Sequence, residues 1–83
     1  MKVVIIKAMN RATGFPWIHS VWEHGQLDRV QRYVKALNYS HADTAYGLAN
    51  ADAESCEPHP LSPRESVVIV AGSRFPLMTL DNR

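Results

Sequence analysis

The histidines and the single cysteine of this chain are of the types that bind zinc, and the candidate ligands are His19, His24, Cys56 and His59, with His41 in reserve. Cys56 and His59 form a Cys-x-x-His pair, and the two earlier histidines are candidates for a second pair. Zinc binds four nitrogen or sulfur ligands in tetrahedral geometry, and thiolate with imidazole is a favoured combination. The two pairs lack the spacing of a common zinc finger, so solvent-facing imidazoles and an incidental thiol are the more ordinary interpretation. We therefore predict no metal site and no cofactor, with zinc binding as an alternative.

Cys56 and the serines are also candidate nucleophiles, because a histidine beside them would act as a general base. The sequence contains no glycine elbow, oxyanion loop or GxxxxGK[ST] phosphate-binding pattern to accompany such a pair. Glu54 and Glu57 lie in a proline-containing stretch and are interpreted as solvated loop charges rather than as an acid–base pair. The sequence therefore predicts a protein that is not an enzyme.

Basic and aromatic residues offer a third kind of chemistry, the binding of an anionic macromolecule. Arg29, Arg32 and Lys35 recur every third residue, which places them on the exposed side of a predicted helix. Trp17 and Trp22 precede them, and such rings stack on nucleic-acid bases or form hot spots in protein interfaces. We predict that these residues bind a partner. The ordinary alternatives are a solvated helix face and tryptophans buried in the core.

Charge is distributed unevenly along the chain, although the formal net charge is only +1. Residues 1–38 contain six Lys or Arg against two acidic residues, whereas residues 39–83 contain three against six. Two interpretations follow from this asymmetry. Either the two halves attract each other within one fold, which is the more ordinary case, or the surface is bipolar and presents a basic face to an anionic partner.

The element that would carry the basic residues is a helix from Gln26 to Leu37. Leu27, Val30, Val34 and Leu37 recur at helical spacing and form one apolar stripe. A helix of this length is not stable alone in water, so its stripe is expected to pack on a sheet.

Short runs rich in β-branched residues predict the strands of that sheet. Lys2–Ala8 and Glu65–Ala71 each contain a continuous apolar run, which predicts neighbouring central strands covered on both faces. Trp17–Glu23 is the strand predicted after the first loop. Pro76 confines the last strand, Phe75–Leu80, to an edge, because proline cannot donate a hydrogen bond to a ladder.

The middle of the chain is open to two assignments. Asn38 is expected to end the first helix in a left-handed cap, and alanines at helical spacing predict a second short helix, His41–Ala53. A strand is the alternative, because Tyr46 and Leu48 also alternate with small residues. Prolines make residues 54–64 an extended connector.

Together these elements predict a single α+β domain that spans residues 1–83. It is a small two-layer domain, in which the helix Gln26–Leu37 packs on one face of a mixed sheet of three or four strands. Val3–Ile6 and Val67–Val70 are expected to lie side by side in that sheet. The other face is left to the alanine-rich segment or to a second subunit, so a monomer and a homodimer both stay open.

The chain contains one cysteine and no apolar run of the roughly 20 residues that a membrane span needs. This predicts a cytoplasmic protein with no internal disulfide and no membrane segment. The predicted function is that of a small non-enzymatic protein that binds another protein by surface contact, a kind typical of accessory or inhibitor proteins of phages and mobile elements. The first alternative is a nucleic-acid-binding module that uses the basic helix face, and the second is a small zinc-binding domain.

Overall fold

The computed structural model describes residues 1–59 and 62–78, and the side chains of His59 and of residues 62–64 lie outside that description. The described part of the chain forms one α-helix and one six-stranded mixed sheet. The α+β class is therefore confirmed, whereas the predicted count of three or four strands is wrong. In chain order the elements are β1 (Lys2–Asn10), β2 (Pro16–Glu23), a 3₁₀ turn (His24–Gln26), α1 (Leu27–Ser40), β3 (Thr44–Asp52), β4 (Ser55–His59), β5 (Ser62–Val70) and β6 (Ser73–Met78).

The six strands lie in the order β3-β1-β2-β6-β5-β4. β1 pairs antiparallel with both β2 and β3, and β5 pairs antiparallel with both β4 and β6. The two halves meet where β2 and β6 run parallel, through two residue pairs, one of which joins Val21 to Leu77. The predicted neighbourhood of Val3–Ile6 and Val67–Val70 is therefore wrong. β1 lies between β3 and β2, so it has no free side for β5.

Both faces of β1 are buried, each by a different part of the chain. A first cluster lies between the sheet and α1 and consists of Val4, Ile6, Trp22, Val30, Val34 and Leu37. A second cluster lies behind the sheet and consists of Val3, Val21, Ala53, Val68 and Val70. The sheet therefore folds back on itself between β2 and β6. The face opposite α1, which was expected to need the alanine-rich segment or a second subunit, is covered by β5 and β6.

The segment His41–Ala53, predicted as a second helix, contains the strand β3 instead. This strand pairs with β1 along its full length of nine residues. Tyr46 and Leu48 pack against the first cluster, and Ala51 packs against the second. The helix prediction is wrong because pairing with a buried strand outweighs the weak helix preference of separated alanines.

Helix α1 continues beyond its predicted end at Leu37 and ends at Ser40. Asn38 therefore lies inside the helix and does not have the positive φ angle of the predicted cap. Its carboxamide bonds to β3 instead. Nδ2 donates to the carbonyl oxygen of Tyr46 at 3.0 Å, and the Tyr46 N–H donates to Oδ1 at 2.8 Å. These two bonds attach the C-terminal part of α1 to the edge of the sheet.

β6 is not the edge strand that Pro76 predicted, because it lies between β2 and β5. Pro76 pairs with Val67 of β5, and the pairing with β2 starts one residue later, at Leu77. The ladder between β2 and β6 therefore needs no donor from the proline. The edges of the described sheet are β3 and β4, and β4 occupies part of the predicted connector, residues 54–64. The last two residues of the predicted strand Phe75–Leu80 lie outside the described residues.

Candidate functional site

The exposed side of α1 carries the three predicted basic residues. Arg29, Arg32 and Lys35 are all exposed, while the apolar stripe on the opposite side of the helix lies in the first cluster. Because residues three and four apart are neighbours on a helix, these side chains form one basic surface. We call this surface, together with Ala36 and Tyr39, the outer helix face.

Tyr39 also lies on this face, two residues beyond the predicted end of the helix. Its side chain is 92% exposed. It follows Lys35 by four positions and Arg32 by seven, so the helix brings its ring to the same side as the two cations. Because the helix was predicted to end at Leu37, the sequence placed Tyr39 near a loop as a residue type found in interface hot spots, and not on the helix.

The outer helix face is not neutralised by the acidic half of the chain. Within residues 1–59 and 62–78 its three cations form no ion pair, and Asp28 in the first turn of α1 does not pair with Arg32. Glu54, Glu57 and Glu65 are exposed on or next to β4 and β5, and that half of the sheet packs on the face opposite α1. The three cations of the outer helix face and the carboxylates of Glu57 and Glu65 therefore lie on opposite sides of the fold.

The two predicted tryptophans lie in different environments. Trp17 is 39% exposed and lies opposite Ala8 of β1. Trp22 is only 4% exposed, belongs to the first cluster, and donates from Nε1 to Ser20 Oγ at 2.7 Å. Because its ring fills the space between β2 and α1, Trp22 is not available for the surface contact that the sequence predicted.

A β-bulge changes which side chains of β2 face α1. Ile6 of β1 pairs with Ser20, and Lys7 pairs with Ile18, so His19 is an extra residue without a partner of its own. Beyond the bulge the alternation of β2 is shifted by one residue. This explains why apolar and polar side chains do not alternate regularly along β2.

His19 connects β2 to both α1 and β3 through its ring. Its imidazole makes edge-to-face contacts with Tyr33 of α1, at 6.3 Å between centroids, and with Tyr46 of β3, at 5.6 Å. His19 Nδ1 lies 2.9 Å from Ser20 Oγ. That hydroxyl accepts a hydrogen bond from Trp22, so its own proton is available to donate to the imidazole. These contacts give His19 a structural role in the fold.

The predicted zinc candidates lie on different elements. His19 is on β2, His24 is in the 3₁₀ turn and Cys56 is exposed on β4, while the side chain of His59 lies outside the described part. Among the described side chains there is no group of three or more His, Cys, Asp or Glu that could hold a metal ion. Zinc binding by this set therefore has no geometric basis in that part of the chain.

A shallow concavity lies where β1 begins and β3 ends. It is bordered by Lys2, His24, Asn50, Ala51 and Asp52, and its volume is about 160 Å³. Sites for small molecules usually have volumes of about 300–1,000 Å³ and predominantly apolar walls. The concavity is small and polar by comparison, so the outer helix face is the stronger candidate for function.

Comparisons with known proteins do not connect this chain to a family. No protein-family model matches it, and searches of curated proteins and of solved structures found no match. In the described ranges, no helix combines the length and the apolar character needed to cross a membrane. The geometry of the outer helix face is therefore the main guide to function.

Proposed function

We propose that this protein binds an acidic surface of another protein through its outer helix face. The observation that carries the proposal is the position of Tyr39, 92% exposed, on the same side of α1 as three exposed cations. An aromatic ring of this size buries roughly 150–250 Å² when it is covered, so a partner that covers it gains a large apolar contact. Tyrosine and arginine are also the residue types enriched in interface hot spots.

The fold holds this face in one orientation. Val30, Val34 and Leu37 anchor the helix in the first cluster, and Asn38 attaches it to Tyr46 of β3. A rigid surface loses less conformational entropy on binding than a loop that must first become ordered. Arginine side chains bind carboxylates through two parallel hydrogen bonds, which suits aspartate and glutamate on the surface of a partner.

A nucleic acid is the second candidate, because other exposed rings lie on the α1 side of the sheet. Tyr33 and Trp17 are each 39% exposed. Bases stack on such rings while Arg and Lys neutralise phosphates. However, the net charge of +1 and the exposed acidic residues behind the sheet reduce the attraction for an extended polyanion. A protein partner is therefore the first candidate.

A photocrosslinking residue in the outer helix face tests the proposal. p-Benzoylphenylalanine at Ala36, which is exposed between the cations, should form a crosslinked species on irradiation of cells that produce the protein. Protease sensitivity of the attached mass would identify a protein partner, and nuclease sensitivity would identify a nucleic acid. The same crosslinker at Glu57, which is exposed on β4, is the control and should not capture that species.

Charge reversal provides the matched comparison. The helix variant is Arg29→Glu, Arg32→Glu, Lys35→Glu. The control variant reverses three exposed cations elsewhere in the same half of the chain: Lys2→Glu, Lys7→Glu, Arg11→Glu. Each variant lowers the formal net charge from +1 by six, to −5. Loss of the crosslink at Ala36 in the helix variant alone supports the proposal, provided that circular dichroism shows both variants folded. A crosslink that persists in the helix variant contradicts it.

A further inference from the structure

The two edge strands of the sheet differ in how they are protected against pairing with another strand. β4 is five residues long, contains Pro58 with an irregular register beside it, and carries the exposed Glu57. Short strands, proline, bulges and charges are the devices that natural sheets use to block their edges. β3 has none of these from Thr44 to Ala51, and it pairs with β1 over nine residues without a register shift. Part of the β3 edge is therefore suited to strand pairing.

Hydrogen bonds next to β3 show which of its peptide groups point outward. The N–H of Ala53 donates to the carbonyl oxygen of Met1, so odd-numbered residues of this strand bond toward β1. Even-numbered residues then point away from β1. Tyr46 agrees with this assignment, because both its N–H and its C=O are bonded to the side chain of Asn38. Within the part of the chain that the structure describes, the edge is thus occupied at Tyr46 and open from Leu48 to Asp52.

We propose that two copies of this chain pair through the open part of the β3 edge and form a dimer with a continuous sheet. The outward peptide groups there belong to Leu48, Asn50 and Asp52. In an antiparallel pair centred on Asn50, this residue exchanges two hydrogen bonds with its own copy, and Leu48 exchanges two with Asp52 of the second copy. All three outward groups then find partners. In this register Tyr46, whose peptide groups bond to Asn38, lies opposite Glu54 of the second copy, beyond the end of β3 at Asp52.

The side chains in this register are compatible with self-pairing. Ala49 lies opposite Ala51 of the second copy, in the type of pair where two antiparallel strands approach most closely and small side chains fit best. Asn50 lies opposite itself, so two uncharged amides meet at the symmetry axis. Asp52 lies opposite Leu48 and not opposite another acidic residue. Every cross-strand pair therefore avoids like charges, which is the requirement that a strand must meet to pair with its own copy.

The test uses sedimentation velocity and charge substitutions at the symmetry axis. The wild-type protein should shift from monomer toward dimer between about 10 μM and about 1 mM. Asn50→Asp and Asn50→Lys each place like charges opposite each other, and each should weaken dimerisation by about tenfold or more. Asn50 is exposed, so both variants should fold. An equimolar mixture of the two brings opposite charges together and should restore a heterodimer. Thr13→Asp and Thr13→Lys add the same charges in an exposed turn and should dimerise like wild type.

Amide hydrogen exchange provides a second measurement. The amides of Leu48, Asn50 and Asp52 should exchange more slowly in concentrated wild-type protein than in the Asn50→Asp variant. A wild-type protein that is monomeric at about 1 mM overturns the proposal, as does a dimer that both Asn50 variants leave intact. The charge reversal of the outer helix face should leave the dimer in place, so this proposal and the proposed function can fail independently.

Discussion

Replacing Asn38 with alanine tests whether one side chain attaches α1 to β3. Its carboxamide makes two hydrogen bonds to the backbone of Tyr46, 2.8 and 3.0 Å long, in a partly buried position. Alanine would leave the N–H and the C=O of Tyr46 without these partners. The variant should therefore lower the free energy of unfolding, although it removes no apolar contact from either cluster.

The magnitude follows from three contributions. Two neutral hydrogen bonds contribute about 1–3 kcal/mol net. Alanine has a better helix propensity than asparagine, and this offsets about 0.5–0.7 kcal/mol of the loss in the free energy of unfolding. Water at the strand edge replaces part of the lost hydrogen bonding. We expect a net loss of about 1–2 kcal/mol in the free energy of unfolding. In a chain of this size each kcal/mol lowers Tm by about 4–8 °C.

Urea unfolding at a low and constant protein concentration measures this loss without a contribution from dimerisation. Gln31→Ala is the control on the same helix, because Gln31 is exposed, and its stability should stay within about 0.5 kcal/mol of wild type. Asn38→Asp keeps an acceptor for the Tyr46 N–H but loses the donor to the Tyr46 carbonyl oxygen. It also adds a negative charge near the helix C-terminus, which is unfavourable there. This variant should therefore be at least as destabilised as the alanine variant. An Asn38→Ala protein as stable as Gln31→Ala would refute the reasoning.

Four further predictions concern other parts of the fold. Gly72→Ala should cost about 1–2 kcal/mol, because Gly72 has a φ of +79° in the turn between β5 and β6. Gly25→Ala, where an added Cβ meets nothing within 4 Å and φ is not positive, should be neutral or stabilising by up to about 1 kcal/mol in thermal unfolding. Val30→Ala should lower the free energy of unfolding in urea by about 2–3 kcal/mol, since Val30 is fully buried. A loss well below about 1 kcal/mol would show that α1 does not depend on the first cluster. Trp22→Phe and Ser20→Ala should be coupled by about 0.5–1.5 kcal/mol in a double-mutant cycle, because they remove the same hydrogen bond. If the two losses in the free energy of unfolding are strictly additive, that bond does not contribute.

The helix was predictable from the sequence because its signal is local. Val30, Val34 and Leu37 recur with the helical period, and all three are buried in the first cluster. The same pattern placed Arg29 and Arg32 on the exposed side, which is where the structure has them. The end of the helix was less accurate, because the last turn is held by contacts to β3 that the local sequence does not encode.

The arrangement of the strands could not be predicted in the same way. Val3–Ile6 and Val67–Val70 have similar compositions, but composition does not specify which strand pairs with which. β3 was assigned as a helix because separated alanines resemble one face of a helix, whereas its actual conformation depends on nine pairs with a distant strand. The bulge at His19 is also a tertiary feature, and it changes which neighbouring side chains face α1. Trp22 was predicted at the surface for a related reason. An aromatic residue in a strand with mixed apolar and polar side chains is compatible with a buried or an exposed position.

The two proposed contacts become more informative when they are combined. The chain is basic in its first half and acidic in its second, and part of this asymmetry becomes a separation in space because the sheet folds back between β2 and β6. An antiparallel pair of β3 strands has its symmetry axis perpendicular to the sheet, so both copies of α1 lie on the same side of the dimer. The dimer would therefore present two outer helix faces in one direction and the exposed Glu57 and Glu65 of each copy behind the sheet. Two linked sites raise the apparent affinity for a partner that carries a repeated or extended acidic surface. Charge substitutions at Asn50, which leave the helix untouched, should accordingly weaken partner binding at concentrations where the wild-type protein is a dimer.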